Sequence, residues 1–230
     1  MLILGIDDAG RGPVIGPMVV AGVLINLSDE PKLKELGVKD SKMLTAKRRE
    51  FLAEKIKKIA VDYEIIQISP TEIDSRGDLG INLNQIEAIK MADIVNKIIS
   101  RHKKKEDQKG KIKIIIDCPS NNIGAWQQYL EKYVDNKGIL EIHAEWKADV
   151  NHVAASAASI LAKTTRDNEI EKIKKLVKID FGSGYPSDPV TCKFLKEHAH
   201  KFKKEGIFRE TWQTWKNVCG QKKQKKLGEF

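Results

Sequence analysis

Leu2-Ile3-Leu4-Gly5-Ile6-Asp7-Asp8-Ala9-Gly10-Arg11-Gly12-Pro13 is the stretch on which the reading of the chain turns. Leu2-Ile3-Leu4 with Ile6 predicts a short buried strand. A strand that ends in two acids cannot bury both charges without a partner, and a divalent cation is the usual one. Gly10 and Gly12 lack a Cβ and let the backbone approach a ligand closely, while Arg11 supplies a forked donor suited to phosphate. Taken alone, the same residues read equally well as a strand end and a tight turn with solvated acids.

Working outward, Gly16-Pro17 leads into Met18-Val19-Val20-Ala21-Gly22-Val23-Leu24-Ile25, a β-branched run that predicts a central strand beside the first. Residues 31 to 37 read as a short helix or turn, and Val38 to Lys42 as a polar loop. Ser41 or Thr45 is a candidate cap for a helix over about Ala46 to Ala60, with Phe51, Leu52, Ile56 and Ile59 on its apolar side. Tyr63 to Ile68 reads as a third strand, and the Thr71 to Asp74 spacing as a capped short helix that stops before Gly77 and Gly80. Asn82 caps a long helix bearing Ile86, Ile89, Ala92, Ile94, Ile98 and Ile99. It ends in the lysine-rich stretch Arg101 to Gly110, an exposed connection.

Lys111 to Ile116 is a strand that terminates in Asp117, followed by a helix over about Ile123 to Val134 and a strand over Ile139 to Glu145. Lys147-Ala148-Asp149 precedes the small-residue stretch Val153 to Ala162, which suits a helix packed tightly on a sheet and continues to about Val177. The alternation of strands and helices predicts an α/β fold. Beyond the turn-rich Phe181 to Pro189 the chain is basic and helical, with Trp212 and Trp215 as its own small core. A domain boundary is therefore expected near 179, dividing 1–178 from 179–230.

The chain has 230 residues, enough for one full core or a core with a smaller appendage. No stretch approaches the roughly 20 apolar residues of a membrane span, and no leader is evident before Leu2, so the expectation is a cytoplasmic protein. Cys118, Cys192 and Cys219 stand in no metal-ligand spacing, which argues against a zinc site or a disulfide framework. With 41 Lys and Arg against 32 Asp and Glu, and a net charge of +9, the chain is basic, and its lysines occur in blocks. Polyanions are the implied partners, although lysine-rich surfaces also serve solubility.

Asp7-Asp8, Asp117 and Asp149 each follow a strand or open a helix. In α/β sheets functional groups gather at such positions. Four neighbouring carboxylates would repel and raise one another's pKa unless cations neutralise them. Hard oxygen donors favour Mg2+ or Mn2+, and a pair of ions suits in-line phosphodiester displacement. Singly, Asp117 reads as well as a turn former and Asp149 as an N-cap.

These motifs together resemble ribonuclease HII, particularly its archaeal form. The resemblance is carried by Gly5 to Gly12, Lys39-Asp40-Ser41-Lys42, the strand ending at Asp117, Lys147-Ala148-Asp149 with Ala155 to Arg166, and Gly182-Ser183-Gly184-Tyr185-Pro186-Ser187-Asp188. It implies a ribonuclease H-like mixed sheet flanked by helices, with a small helical C-terminal extension. The implied activity is metal-dependent endonucleolytic cleavage of RNA in RNA–DNA hybrids and at single ribonucleotides embedded in duplex DNA, leaving 3′-hydroxyl and 5′-phosphate ends. Asp7, Asp8, Asp117 and Asp149 are then the catalytic metal ligands for two Mg2+ or Mn2+ ions.

By the same resemblance Gly10, Arg11 and Gly12 read the ribose 2′-hydroxyl, and Tyr185 stacks beside it. Lys39, Ser41, Lys42, Lys163 and Arg166 meet backbone phosphates. The family usually carries glutamate where this chain has Asp8, one methylene shorter. The ending Gln224-Lys225-Lys226-Leu227-Gly228-Glu229-Phe230 places Leu227 and Phe230 on one side of a helical turn. It resembles the box with which archaeal members bind the sliding clamp, proliferating cell nuclear antigen, so Gln224, Leu227 and Phe230 are the implied contacts of a monomeric enzyme. The competing reading is a non-catalytic nucleic-acid-binding module of the same fold. Four retained carboxylates argue against it, because a mere binder gains nothing from acids beside phosphates.

Overall fold

The computed structural model describes residues 1–39, 44–102 and 112–219. Its sheet is built from β1 (Leu2–Ala9), β2 (Met18–Asn26), β3 (Asp62–Ile68), β4 (Ile112–Asp117) and β5 (Leu140–Glu145), in the order β3-β2-β1-β4-β5. β1 runs antiparallel to β2 and parallel to β4, and β4 runs parallel to β5. The sheet is therefore mixed, and the parallel pairs bring the carboxyl ends of β1, β4 and β5 to one edge. The helices are α1 (Glu30–Glu35), α2 (Ala46–Ile59), α3 (Pro70–Ser75), α4 (Leu83–His102), α5 (Ile123–Glu131), α6 (Ala148–Asn151), α7 (Val153–Val177), α8 (Pro189–Phe202) and α9 (Gln213–Cys219).

The chain forms two compact units. The first comprises Met1–Ala9, Val19–Gln67 and Ile81–Thr165; the second comprises Gly10–Met18, Ile68–Gly80 and the chain from Arg166 onward. This division departs from a single cut near 179. Two short segments from the N-terminal half join the second unit because their backbones pair with its loops: Val14 N–H donates to Gly184 O at 2.8 Å and Gly16 N–H to Ile207 O at 2.9 Å.

In the first unit one sheet face buries Ile3, Val19, Val23 and Ile115 against Leu52 and Ile56 of α2 and the alanines of α7. α4 covers the opposite face, its Ile94 lying where a side chain on Gly22 of β2 would stand. In the second unit Val14, Ile15, Phe181, Phe194, Phe202, Phe208 and Trp215 form a separate core.

Local signals explain most element ends. Thr45 caps α2 through Arg48 N–H, and Asn82 accepts from Gln85 N–H at the start of α4. α3 is capped by Ser69 rather than Thr71, because Pro70 takes the first helical position and shifts the start by two residues. α5 stops at Glu131, before the expected Val134. Phe51, expected on the buried side of α2, is 46% exposed and lies beneath the cations of Arg48 and Lys55 instead. Among the described residues no helix is long and apolar enough to cross a membrane.

Candidate active site

Side chains alternate along a strand, so Ile3, Gly5 and Asp7 share one face of β1. That face meets α7 closely. A Cβ on Gly5 would lie 2.0 Å from the Ala154 carbonyl carbon and 2.2 Å from the Ala155 nitrogen. Two residues up the strand rise about 6.6 Å, matched by four to five residues of helix at about 1.5 Å each. Asp7 accordingly meets Ser159, whose hydroxyl hydrogen-bonds to it.

The register pairs Ile6 with Ile116, so the next position brings Asp7 alongside Asp117 at adjacent strand ends. Asp117 pairs in turn with Glu145, and its Oδ1 accepts from Ala148 N–H at 2.7 Å, which ties the start of α6 to the end of β4. Lys147 enters α6 in a left-handed conformation with φ 62°. The turn delivers Asp149, 3% exposed, whose backbone carbonyl accepts from the Ser156 hydroxyl.

Asp7 is buried, and burial raises its pKa well above the ordinary carboxylate value. The charges of Asp8, Asp117 and Asp149 raise it further, against a smaller lowering by Ser159. Within the first unit the other three predicted acids therefore all act electrostatically on Asp7. Their chemistry fits a hard divalent cation, which would relieve both the burial penalty and the repulsion. Among the described residues no group of three or more His, Cys, Asp or Glu is assembled in the arrangement of a metal-holding cluster.

The second unit holds a different cluster. Gly10 has φ 82°, and a Cβ there would fall 2.5 Å from Arg166 Cδ and 2.9 Å from Pro17 O, so conformation and space both require glycine. A Cβ on Gly12 would touch the Tyr185 ring at 3.4 Å. The Arg166 guanidinium lies 5.4 Å from the centre of that ring. Arg166 is 9% exposed, and its Nε and Nη2 have no hydrogen-bond partner. A buried guanidinium with unsatisfied donors suits an incoming anion.

The Tyr185 loop is rigid. Asp188 accepts from Ser183 N–H and Ser183 Oγ–H, both at 2.7 Å, and these bonds hold its carboxyl below the ordinary value. Thr191 accepts from Gly184 N–H and donates to Phe181 O. Arg11 is half-buried, Lys39 exposed and Lys163 half-buried on α7. Ser41, Lys42, Gln224, Leu227 and Phe230 lie outside the described residues, as do most of the lysine blocks.

Two residues of these clusters escaped the sequence reading. Ser159 was hidden in a small-residue stretch that reads only as packing, although its register with Asp7 follows once α7 is laid on β1. Arg209 carries no local signal at all. It is fully buried in the second unit and donates to the Gly10, Arg11 and Gly16 carbonyls.

Comparison with known proteins identifies the family to which the fold belongs. The family model described as ribonuclease HII matches residues 4–215. Ribonuclease HII of Methanococcus maripaludis is 46% identical over 230 residues, covering all of this chain and 92% of the relative. The crystal structure of ribonuclease H2 from Pyrococcus horikoshii superposes with a TM-score of 0.81 at 37% identity, over 95% of this chain and 97% of that one. The PCNA:RNase HII complex from Archaeoglobus fulgidus gives a TM-score of 0.77 at 40% identity, over 94% of this chain and 96% of that one. A mixed five-stranded sheet flanked by helices, with a family match over residues 4–215 and relatives aligned along the whole chain, makes this protein a member of the ribonuclease HII family and a metal-dependent ribonuclease H acting on RNA–DNA hybrids.

Proposed function

We propose that the enzyme also incises duplex DNA at single embedded ribonucleotides, by hydrolysis with two Mg2+ or Mn2+ ions held by Asp7, Asp8, Asp117 and Asp149, leaving 3′-hydroxyl and 5′-phosphate ends. The supporting observation is the electrostatic one: burial, and after it the charges of Asp8, Asp117 and Asp149, raise the Asp7 carboxyl well above its ordinary value. Folding such a group into a core costs stability that a structural role would not justify. Bound divalent cations would neutralise the carboxylates and polarise phosphoryl oxygens.

The chain's own residues do the rest. Ser159 orients the Asp7 carboxylate, and the Ala148 N–H fixes one oxygen of Asp117. Gly10, Arg11 and Gly12 contact the ribose and its 2′-hydroxyl, the group that separates RNA from DNA. Tyr185 packs on the neighbouring sugar. Arg166 gives its two unpartnered nitrogens to a backbone phosphate, and Lys39, Ser41, Lys42 and Lys163 contact further phosphates. The Archaeoglobus fulgidus relative was solved with PCNA, and Gln224, Leu227 and Phe230 are read as the corresponding clamp contacts of a cytoplasmic monomer.

The deciding assay uses a DNA duplex containing one ribonucleotide, incubated with Mg2+ or Mn2+, with Asp7→Asn as control. Wild-type protein yields a single nick with a 3′-hydroxyl end, and the variant yields none. Intact substrate under every metal condition, from protein with an intact circular dichroism spectrum, would leave only a nucleic-acid binder or a nuclease confined to long hybrids.

A further inference from the structure

A trans peptide is planar, with its C=O and N–H pointing in opposite directions. Holding the carbonyl of one residue therefore aims the amide of the next. In the second unit Arg209 does this to two successive peptides: Nη2 donates to Gly10 O at 2.6 Å and Nη1 to Arg11 O at 2.9 Å. Its Nε donates to Gly16 O at 3.0 Å, and Trp212 Nε1 donates to Gly12 O at 3.1 Å. The Arg11 and Gly12 amides are thereby turned away from the guanidinium.

Arg209 is itself held. Its N–H donates to Val14 O at 2.9 Å, and its guanidinium lies 5.0 Å from the Trp212 ring centre. The turn that follows is fastened by Asp74, whose Oδ2 accepts from Glu210 N–H at 2.6 Å. Its Oδ1 accepts from Thr211 N–H at 3.1 Å and the Thr211 hydroxyl at 2.5 Å. Arg76 reaches the same hydroxyl at 3.1 Å and covers the Trp212 ring at 5.2 Å.

We infer that Arg209 and Asp74 are positioning residues for ribose selectivity: Asp74 locks the 209–212 turn, and Arg209 presets the Arg11 and Gly12 amides as donors toward the 2′-oxygen. The inference rests on the reading of Gly10 to Gly12 as the ribose-sensing loop. Lysine cannot replace Arg209, because a single ammonium does not span three carbonyls in a fixed fork. Asp74→Asn exchanges one acceptor oxygen for a donor that repels an N–H.

The test measures binding of full-length protein, in EDTA, to two duplexes that differ by one 2′-hydroxyl, followed by steady-state cleavage of the ribonucleotide duplex. A hydrogen bond or two to that hydroxyl gives the wild type a preference of about tenfold. In Arg209→Lys and Asp74→Asn the preference falls toward one, and kcat/KM falls by about 10- to 100-fold, as expected for a displaced reading group. Thermal midpoints are recorded in parallel. A variant that melts earlier but keeps the wild-type preference overturns the inference, reducing both residues to structural struts. A wild type without preference overturns the ribose-sensing reading and the inference with it. Should Arg209→Lys fail to fold, the preference ratio of Asp74→Asn decides.

Discussion

Asp7, the proposed centre of the metal site, weakens the first unit in the absence of a cation. Its pKa is raised in the folded state by burial and by Asp8, Asp117 and Asp149. For a carboxyl raised on folding, the folded state binds the proton more tightly, so stability is greatest below the ordinary carboxylate pKa and is lost as pH rises toward the raised value. At neutral pH and without metal the ionised acid is a net cost. Asp7→Asn is therefore expected to raise the thermal midpoint of the metal-free protein at pH 7 while abolishing cleavage, and the two proteins should converge near pH 4. Adding Mn2+ should reverse the order: a ligand at 100 times its Kd stabilises by about 2.7 kcal/mol, and the variant forfeits most of that. A differential scanning measurement with and without the ion reads both effects. Two acids closing an apolar strand made Asp7 a candidate from the sequence, but its partner Ser159 was not legible, because a serine among alanines has no direction until the helix is seated.

The pairing of β1 with α7 sets where those acids stand. Gly5 is the contact point, with Ala154 and Ala155 backbone atoms occupying the place of a side chain. Gly5→Ala pushes backbone against backbone, so a loss of about 1–3 kcal/mol is expected, which lowers the thermal midpoint by roughly 2–4 °C per kcal/mol in a chain of this size. Cleavage should fall as well, since Asp7 lies two residues along the same face. The other testable element is the β3–α4 pair. Arg101 donates to Asp62 at 2.8 Å and to Glu64 at 2.9 Å, and Lys97 bonds Glu64 at 3.0 Å. Partial burial raises both acids, but the hydrogen bonds from Arg101 with His102 on Asp62, and from Lys97 with Arg101 on Glu64, outweigh it and hold them below their ordinary values. Depressed carboxyls contribute stability above the ordinary carboxylate pKa and lose it as pH falls through the folded value. Arg101→Met should flatten that acid limb of an equilibrium unfolding curve, by less than about 1 kcal/mol because the side chains are partly exposed. Caps such as Thr45 and Asn82 were legible because they act over three residues; the exposure of Phe51 was not, because periodicity alone does not say where a helix face ends.

At the scale of the molecule, the strands, the acids at their ends and the glycine-rich loop follow from the sequence alone. Apolar alternation and short-range capping are local, and local energies are written in local residues. The change of composition past Val177 predicts a single boundary near 179, whereas the second compact unit begins at Arg166 and recruits segments 10–18 and 68–80 from the N-terminal half. The C-terminal tail belongs to this scale too: deleting Gln224 to Phe230 is expected to abolish clamp binding in a pull-down while leaving cleavage of short duplexes within about twofold, since chain termini commonly tolerate removal. Loss of cleavage would instead assign the tail to DNA. What only the tertiary structure decided is which distant residues meet. Arg209 reaches carbonyls 193 to 199 positions away, and the four acids come from segments as far apart as Asp7 and Asp149. Such meetings depend on strand order and on where the chain returns, and no residue pattern confined to one segment contains that information.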